Sequence, residues 1–459
     1  MKLLPFGLAA ALALSSHAAE RSRRIEYADL PPALRARVSA GGLVERDFRA
    51  YVRDVEIETD RRVADGEREH LIYYALQSNR FTDRPRIEPA VSALRFVRGL
   101  SQADRDRVIA DPSFLPAAGW PPAERARMAD LLRAVDTRPT DARLVYFRQL
   151  LQAAGGSRAP DSLYPDYVKA ARFLYRKEFL SGGGSPDDIA QVTRLYQSRA
   201  HSSDTQVEAG YGVYLGLGTL RGLEPGLRIT RVLVVGPGLD LAPRTDLVDA
   251  VPPQSDQPFS VADALVRLSL ASDSDLHVHS IDVNPRVVRF VEGVPREPAV
   301  LHVFTGINGS AEQPLRPEYR VYVEQLGRAI GESFVGPRAI ASDPHYQHSI
   351  RIRPSVARAM SGERLNIITE RLVAEAPFDL IVATNVLTYF DDRQLALALS
   401  NIAAMLRPGG CFLHNESRAG LVEVAEALDL PVLHMRTAVL GGPAAKPLYD
   451  VTWLHRKKP

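Results

Sequence analysis

The chain has a single cysteine, Cys411, among its 459 residues, so no disulfide can close within it. Cys411 falls inside an apolar stretch and reads as a small core residue rather than a nucleophile. Neither sign of charge is in excess: 57 basic residues stand against 55 acidic ones, a formal net charge of +2. That balance gives no general pull toward nucleic acid or an anionic membrane, and no nucleic-acid partner is expected. Long apolar runs are scarce as well. The one that opens the chain, Leu3 to Leu14, is too short to serve as a permanent bilayer span, so no stable membrane anchor is expected. With 45% hydrophobic and 24% charged residues, the composition excludes a disordered chain, and the length suits two or three domains.

What is present begins with residues 1–19, MKLLPFGLAAALALSSHAA. A single Lys2, an apolar run and the small residues Ser16, Ala18 and Ala19 form the three-part pattern of a secretory signal peptide. Cleavage is expected after Ala18 or Ala19. The mature chain would then be secreted or periplasmic, and cytoplasmic if the segment is not cleaved.

Residues 20–154 show helical periodicity and almost no strand pattern, which predicts an all-α N-terminal domain. Apolar residues recur three and four apart from Leu43 to Val55, Glu67 to Leu76, Ile87 to Leu100, Pro122 to Val135 and Asp141 to Ala153. Residues 155–225 follow as linker and helical lid. Gly- and Ser-rich stretches at 154–160 and 181–186 flank a helix predicted from Pro165 to Phe179. Two more helices, Pro186 to Arg199 and Val207 to Leu220, enclose a polar turn from His201 to Thr205, in which Ser202, Ser203 and Asp204 read as helix caps.

The stretch around which the rest is arranged is Arg231 to Asp240, RVLVVGPGLD. Four apolar residues run without alternation into Gly236, Pro237 and Gly238, as a strand buried on both faces does when it ends in a tight turn. Glycines let backbone N–H groups approach a ligand, and a helix following the turn would point its N-terminus at the same place. A second strand, Leu276 to Ile281, ends at Asp282, an acid that suits a ribose diol. A dinucleotide fingerprint is the rival reading. It requires a third glycine where this chain has Leu241, and an acid about 20 residues on, whereas Asp282 stands more than twice as far away.

Further strands are predicted at Leu365 to Glu370, Phe378 to Asn385 and Leu406 to Leu413, then a hairpin of Val432 to Leu440 and Leu448 to Leu454. With VVGPG at 234–238, FDLIVATNVLTYF at 378–390 and MLRPGGCFL at 405–413, residues 226–459 resemble the class I S-adenosylmethionine-dependent methyltransferases. The resemblance implies an α/β fold: a Rossmann-like seven-stranded sheet with an antiparallel last strand, following the all-α N-terminal domain. It implies S-adenosylmethionine as cofactor, held by Gly236, Pro237, Gly238, Asp282, Val283, Thr369, Glu370 and Asn385, with Thr369 or Glu370 near the adenine. It also places Asn385 and Tyr389 as candidate catalytic residues beside a methyl acceptor, with His345 and Glu416 as further polar candidates for a base. Tyr196, Arg199, His201, Asp204 and Glu208 are candidates for a lid.

Two positions depart from that pattern: Val234 stands where the family usually has an acid, and Asp240 where it often has a third glycine. The expected activity is in-line methyl transfer to an acceptor that the sequence does not name. The alternative is an exported, catalytically inactive methyltransferase-fold protein with a binding or structural role.

Insertions are predicted at about 250–275 and 290–360, and both should stand over the ligand crevice, where they would set substrate choice. Asp343, His345 and His348 in the longer one form the only cluster in that insertion that could bind metal. No metal site is assigned from the sequence. His277 and His279 share a face of the second strand and read as packing residues.

Overall fold

The computed structural model describes residues 21–138, 140–156, 159–180, 186–242, 249, 251–296, 298–336, 345–443 and 447–459. The signal-peptide segment, part of both Gly- and Ser-rich stretches, and Asp343 lie outside them. Seven strands form the main sheet: β1 (Arg231–Val235), β2 (His277–Asp282), β3 (Met360–Arg364), β4 (Phe378–Ala383), β5 (Leu406–His414), β6 (Val432–Gly441) and β7 (Leu448–Arg456). Their order is β3-β2-β1-β4-β5-β7-β6, parallel except for β7, which runs against both of its neighbours. This is the Rossmann-like sheet with an antiparallel last strand that the sequence predicts.

The unbroken apolar run of β1 follows from its central place, because a parallel strand covered on both faces has no polar side. Val232 and Val234 join one core with the helices Ala209–Leu223 and Gln257–Arg267. Leu233 and Val235 join the other, with the helix Asp392–Met405. All four are 3% exposed or less. Cys411 is buried in β5, its thiol pushed up to about 11 by desolvation, as suits a packing residue.

The N-terminal helices form, and their core takes in Leu163, Tyr167 and Val168 from beyond residue 154. The two apolar segments predicted at 43–55 and 67–76 are one 33-residue helix, Glu45–Gln77. Its two ends serve different cores. Phe48, Val52 and Val55 pack onto the sheet with Leu233 and Ile381, whereas Leu71, Tyr74 and Leu76 pack among helices with Phe147 and Tyr167. Its charged middle lacks apolar spacing yet stays helical, braced in part by Arg61 and Asp65 one turn apart at 2.8 Å. Ahead of it, Ser22–Arg24 pairs antiparallel with Glu370–Leu372, which ties the start of the described chain to the sheet domain. Among the described residues no helix is long and apolar enough to cross a membrane.

Three further expectations are corrected. The third strand is Met360–Arg364, pairing in parallel with β2, and not Leu365 to Glu370. The segment at 250–275 carries the helix Gln257–Arg267 that connects β1 to β2, so it is largely the ordinary crossover. The segment at 290–360 is a folded insertion, with a three-stranded antiparallel sheet of Val300–Phe304, Gln347–Ile352 and Gly331–Phe334 and the helix Pro317–Gln325. None of its described residues lines the crevice. Tyr319 and Tyr322 pack edge-on and tilted against Tyr211, and Arg316 donates its N–H to the Leu440 carbonyl at 2.9 Å, so it leans on the flank of the sheet. His345 and His348 each direct a ring nitrogen to a backbone carbonyl, Thr305 at 2.7 Å and Leu326 at 2.8 Å, and neither belongs to a group of convergent ligands among the described residues.

Candidate functional site

At the carboxyl end of β1 the chain turns through Gly236 and Gly238, with φ of 65° and 67°. L-residues adopt that region at a cost, and here the space is closed as well. A Cβ at Gly236 would stand 2.6 Å from Val386 Cγ2, and one at Gly238 2.6 Å from the Ser203 carbonyl oxygen. Beside the turn, β2 ends at Asp282, which is 8% exposed. Its carboxylate accepts the Asn284 N–H at 2.7 Å and the Gly238 N–H at 3.4 Å. Burial outweighs those bonds and pushes the carboxyl up to about 6.

β4 ends at Ala383, and Asn385 follows in the left-handed region at φ 60° before the short turn Leu387–Tyr389. The Asn385 N–H donates to Asn415 Oδ1 and its side-chain oxygen accepts from Asn415 Nδ2, both at 2.8 Å. Asn415 Nδ2 also lies 3.2 Å from the carboxylate of Asp450 on β7. The reversed seventh strand thereby brings an acid to the edge of the β4 turn.

These elements surround a cleft in two parts. The inner part, about 90 Å³, is walled by Gly236, Gly238, Asp282, Val283, Leu365, Asn366, Ile367, Ile368, Asn385 and Tyr389. The outer part, about 510 Å³, lies beyond Asn385 and Tyr389 and is lined by Tyr196, Arg199, Asn415, Glu416 and Asp450. Ser202, Asp204 and Thr205 line both and divide them.

Of the residues expected to hold a cofactor, Gly236, Gly238, Asp282, Val283 and Asn385 come together here, with Tyr389 beside them. Pro237 lies within the turn without lining the cleft. Thr369 and Glu370 lie elsewhere. Thr369 is fully buried, its carbonyl accepting the Ile25 N–H, and Glu370 pairs with Arg24 in the N-terminal ribbon. Because the third strand ends at Arg364, the loop beyond it places Asn366 and Ile367 at the cleft instead.

The lid residues divide. Tyr196 meets Tyr389 edge-on with ring centroids 5.9 Å apart, and Arg199 is held by Glu69 at 2.6 Å. Glu208 turns away and accepts the Gly306 N–H at 2.6 Å. The turn from His201 to Thr205 does not cap the next helix, whose N-cap is Glu208. It packs on the glycine turn: the Ser203 carbonyl accepts the Leu239 N–H at 2.6 Å, and Asp204 Oδ1 accepts those of Leu241 and Ala242, each at 3.0 Å. No helix follows the glycines directly among the described residues; the next starts at Gln257. A side chain thus serves loop N–H groups that a helix start was expected to aim at a ligand.

Sequence reasoning missed Asp450, Asn415 and Arg62. Arg62 is 4% exposed and donates to the carbonyls of Arg199 at 2.7 Å, Tyr196 at 3.1 Å and Tyr389 at 3.3 Å, so it pins both walls of the outer cleft. Only the charged stretch around it was visible in sequence.

No protein-family model and no curated protein matches the chain. The N-methyltransferase NodS from Bradyrhizobium japonicum WM9 is similar in structure, at 15% identity over 54% of this chain and 97% of that one, with a TM-score of 0.27. So is magnesium protoporphyrin IX methyltransferase from Synechocystis PCC 6803 with bound SAM, at 9% identity, 60% and 100% coverage, and a TM-score of 0.28. A TehB-like SAM-dependent methyltransferase from Corynebacterium glutamicum gives 12% identity, 59% and 97% coverage, and 0.27. The strand order β3-β2-β1-β4-β5-β7-β6 and its single reversed strand decide the fold, independently of these likenesses. The sheet domain has the class I methyltransferase fold.

Proposed function

We propose that the chain is an S-adenosylmethionine-dependent methyltransferase that carries out in-line methyl transfer within this cleft. The observation that carries the reading is Asp282: a buried carboxylate at the end of β2, next to two positive-φ glycines, facing a cavity that continues into a polar pocket. The chemistry of those residues suits the cofactor, and the inner part, at about 90 Å³, would have to open to admit it. Gly236 and Gly238 line the cavity at the end of β1, Asp282 would accept from both ribose hydroxyls, and Ile367 beside Asn366 offers an apolar wall with polar edges for a base. The cofactor would supply an electrophilic methyl group. The protein's task is then to hold and align the acceptor and to exclude water.

Tyr389 is buried, and desolvation raises its phenol above the ordinary value, so it stays neutral and positions rather than takes a proton. Glu416 and Asp450 are carboxylates of the outer pocket, beside Asp204 at its boundary, and burial raises both above the ordinary value, which suits a group that accepts a proton from the acceptor. His345 lies in the insertion, away from both parts of the cleft. We also propose that residues 1–19 direct export.

A second reading, a methyltransferase-fold module without transfer activity, is favoured by the turn from His201 to Thr205. Ser203 fills the space above Gly238, and Asp204 occupies the N–H groups of Leu241 and Ala242. Ultraviolet crosslinking of radiolabelled S-adenosylmethionine separates the two readings. Saturable labelling of peptides spanning 365–368 or 385–390, competed by S-adenosylhomocysteine, is expected of the enzyme. Absence of saturable labelling in the folded chain supports the inert module.

A further inference from the structure

On the face of the sheet that the N-terminal ribbon covers, β2 and β3 bring together side chains that the methyltransferase reading does not use. His277 and His279 share that face by the period of two. Across the ladder His279 stands opposite Ser361 and Ile281 opposite Glu363, which puts Ser361 and Glu363 on the same face of β3. Glu375 reaches in from the loop after the strand Glu370–Leu372. Its carboxylate is 3.4 Å from His277 Nε2, and that of Glu363 is 3.6 Å from His279 Nε2. The ligand atoms of His277, His279 and Glu375 all lie within 4.8 Å of one another.

Second, His279 is wholly buried, with its Nδ1 2.8 Å from Ser361 Oγ. If that nitrogen donates to the hydroxyl, the Nε2 lone pair is left aimed at the acids, and neither histidine's Nε2 makes a hydrogen bond. A ring oriented by a partner on its far nitrogen is how ligating histidines are held.

We infer that His277, His279 and Glu375, with Glu363 as a fourth ligand, form a binding site for a zinc-like divalent cation. Two imidazoles and two carboxylates match the nitrogen and oxygen ligand set of four-coordinate zinc. The ion would join β2, β3 and the 375 loop at the edge of the sheet and stabilise it there. Arg21 now spans the two acids, 3.3 Å from Glu363 and 3.5 Å from Glu375, with its side chain 60% exposed, and it is the group that the cation would displace.

Zinc itself is the probe, titrated into the full chain against a chromophoric chelator, with circular dichroism as the check on folding. One zinc per chain is expected. His279→Gln or Glu375→Gln should weaken binding by more than about 100-fold, and Ser361→Ala by about 10-fold, the lower end for loss of an orienting partner. Arg21→Ala, at an exposed side chain, should tighten binding several-fold by removing the competing cation. Failure of the folded wild type to take up stoichiometric zinc would overturn the site, as would uptake indifferent to both Glu375→Gln and Arg21→Ala. In either case the cluster is an ion-pair network only.

Discussion

The inner and outer parts of the cleft are made of different materials. The inner part combines backbone and apolar wall with neutral polar side chains such as Asn366, Thr384 and Asn385, and has Asp282 as its one acid apart from the Asp204 divider. The outer part is a set of polar side chains from five places in the chain: the lid helix, the turn before β1, the β4 turn, the end of β5, and β7. The inner part therefore follows from the fold, since any sheet of this order puts the ends of β1 and β2 side by side. The outer part follows from side chains that the fold alone does not dictate. Donor binding should be governed by the first and acceptor choice by the second.

Four substitutions or conditions would break or sharpen that division. Asp282→Ala removes two hydrogen bonds to a charged group, each worth about 1.5 kcal/mol or more, so affinity for S-adenosylhomocysteine should fall at least roughly 100-fold by titration. Asp450→Asn should do the reverse. It should lower kcat by about 100-fold, as expected for loss of a general base, while leaving S-adenosylhomocysteine affinity as it was. A matching loss of ligand affinity would merge the two parts.

The third test is pH. Asp282 is raised to about 6 in the folded chain, so its protonated form favours the fold; that contribution is full below the unfolded value and is lost as pH rises through 6. Ligand binding has the opposite sign, because the ionised form accepts from the ribose. Affinity at pH 5 should be about tenfold weaker than at pH 7.5, and Asp282→Asn should flatten the profile. Smallest is Gly238→Ala, which places a side chain at φ 67° against the Ser203 carbonyl. It should cost about 1–2 kcal/mol or somewhat more, read as a lower urea midpoint. An unchanged midpoint would mean that the His201 to Thr205 turn is already free to move away.

What was legible in the sequence follows the same division. β1 and β4 are covered on both faces and announce themselves as apolar runs, and Asp282 is legible because it ends such a strand. The third strand was misplaced for a physical reason. β3 is an edge strand whose one face carries Ser361 and Glu363 over His279, so MSGER has no apolar run. The run that does follow, LNIIT, is buried as a loop beneath the N-terminal ribbon and the helix Asp392–Met405. The 33-residue helix was split because its two ends face different cores and its charged middle faces neither. Asp450, Arg62 and the packing of Ser203 on Gly238 are contacts between segments far apart in the chain, which no local pattern records.

The most direct measurement is calorimetric titration of S-adenosylhomocysteine into the folded chain at neutral pH, with Asp282→Ala alongside. One molecule bound per chain in the micromolar range, and no binding by the variant, is the expected result. A folded wild-type chain that takes up no ligand at millimolar concentration, or a variant that binds as well as the wild type, would contradict a cofactor site built on Asp282.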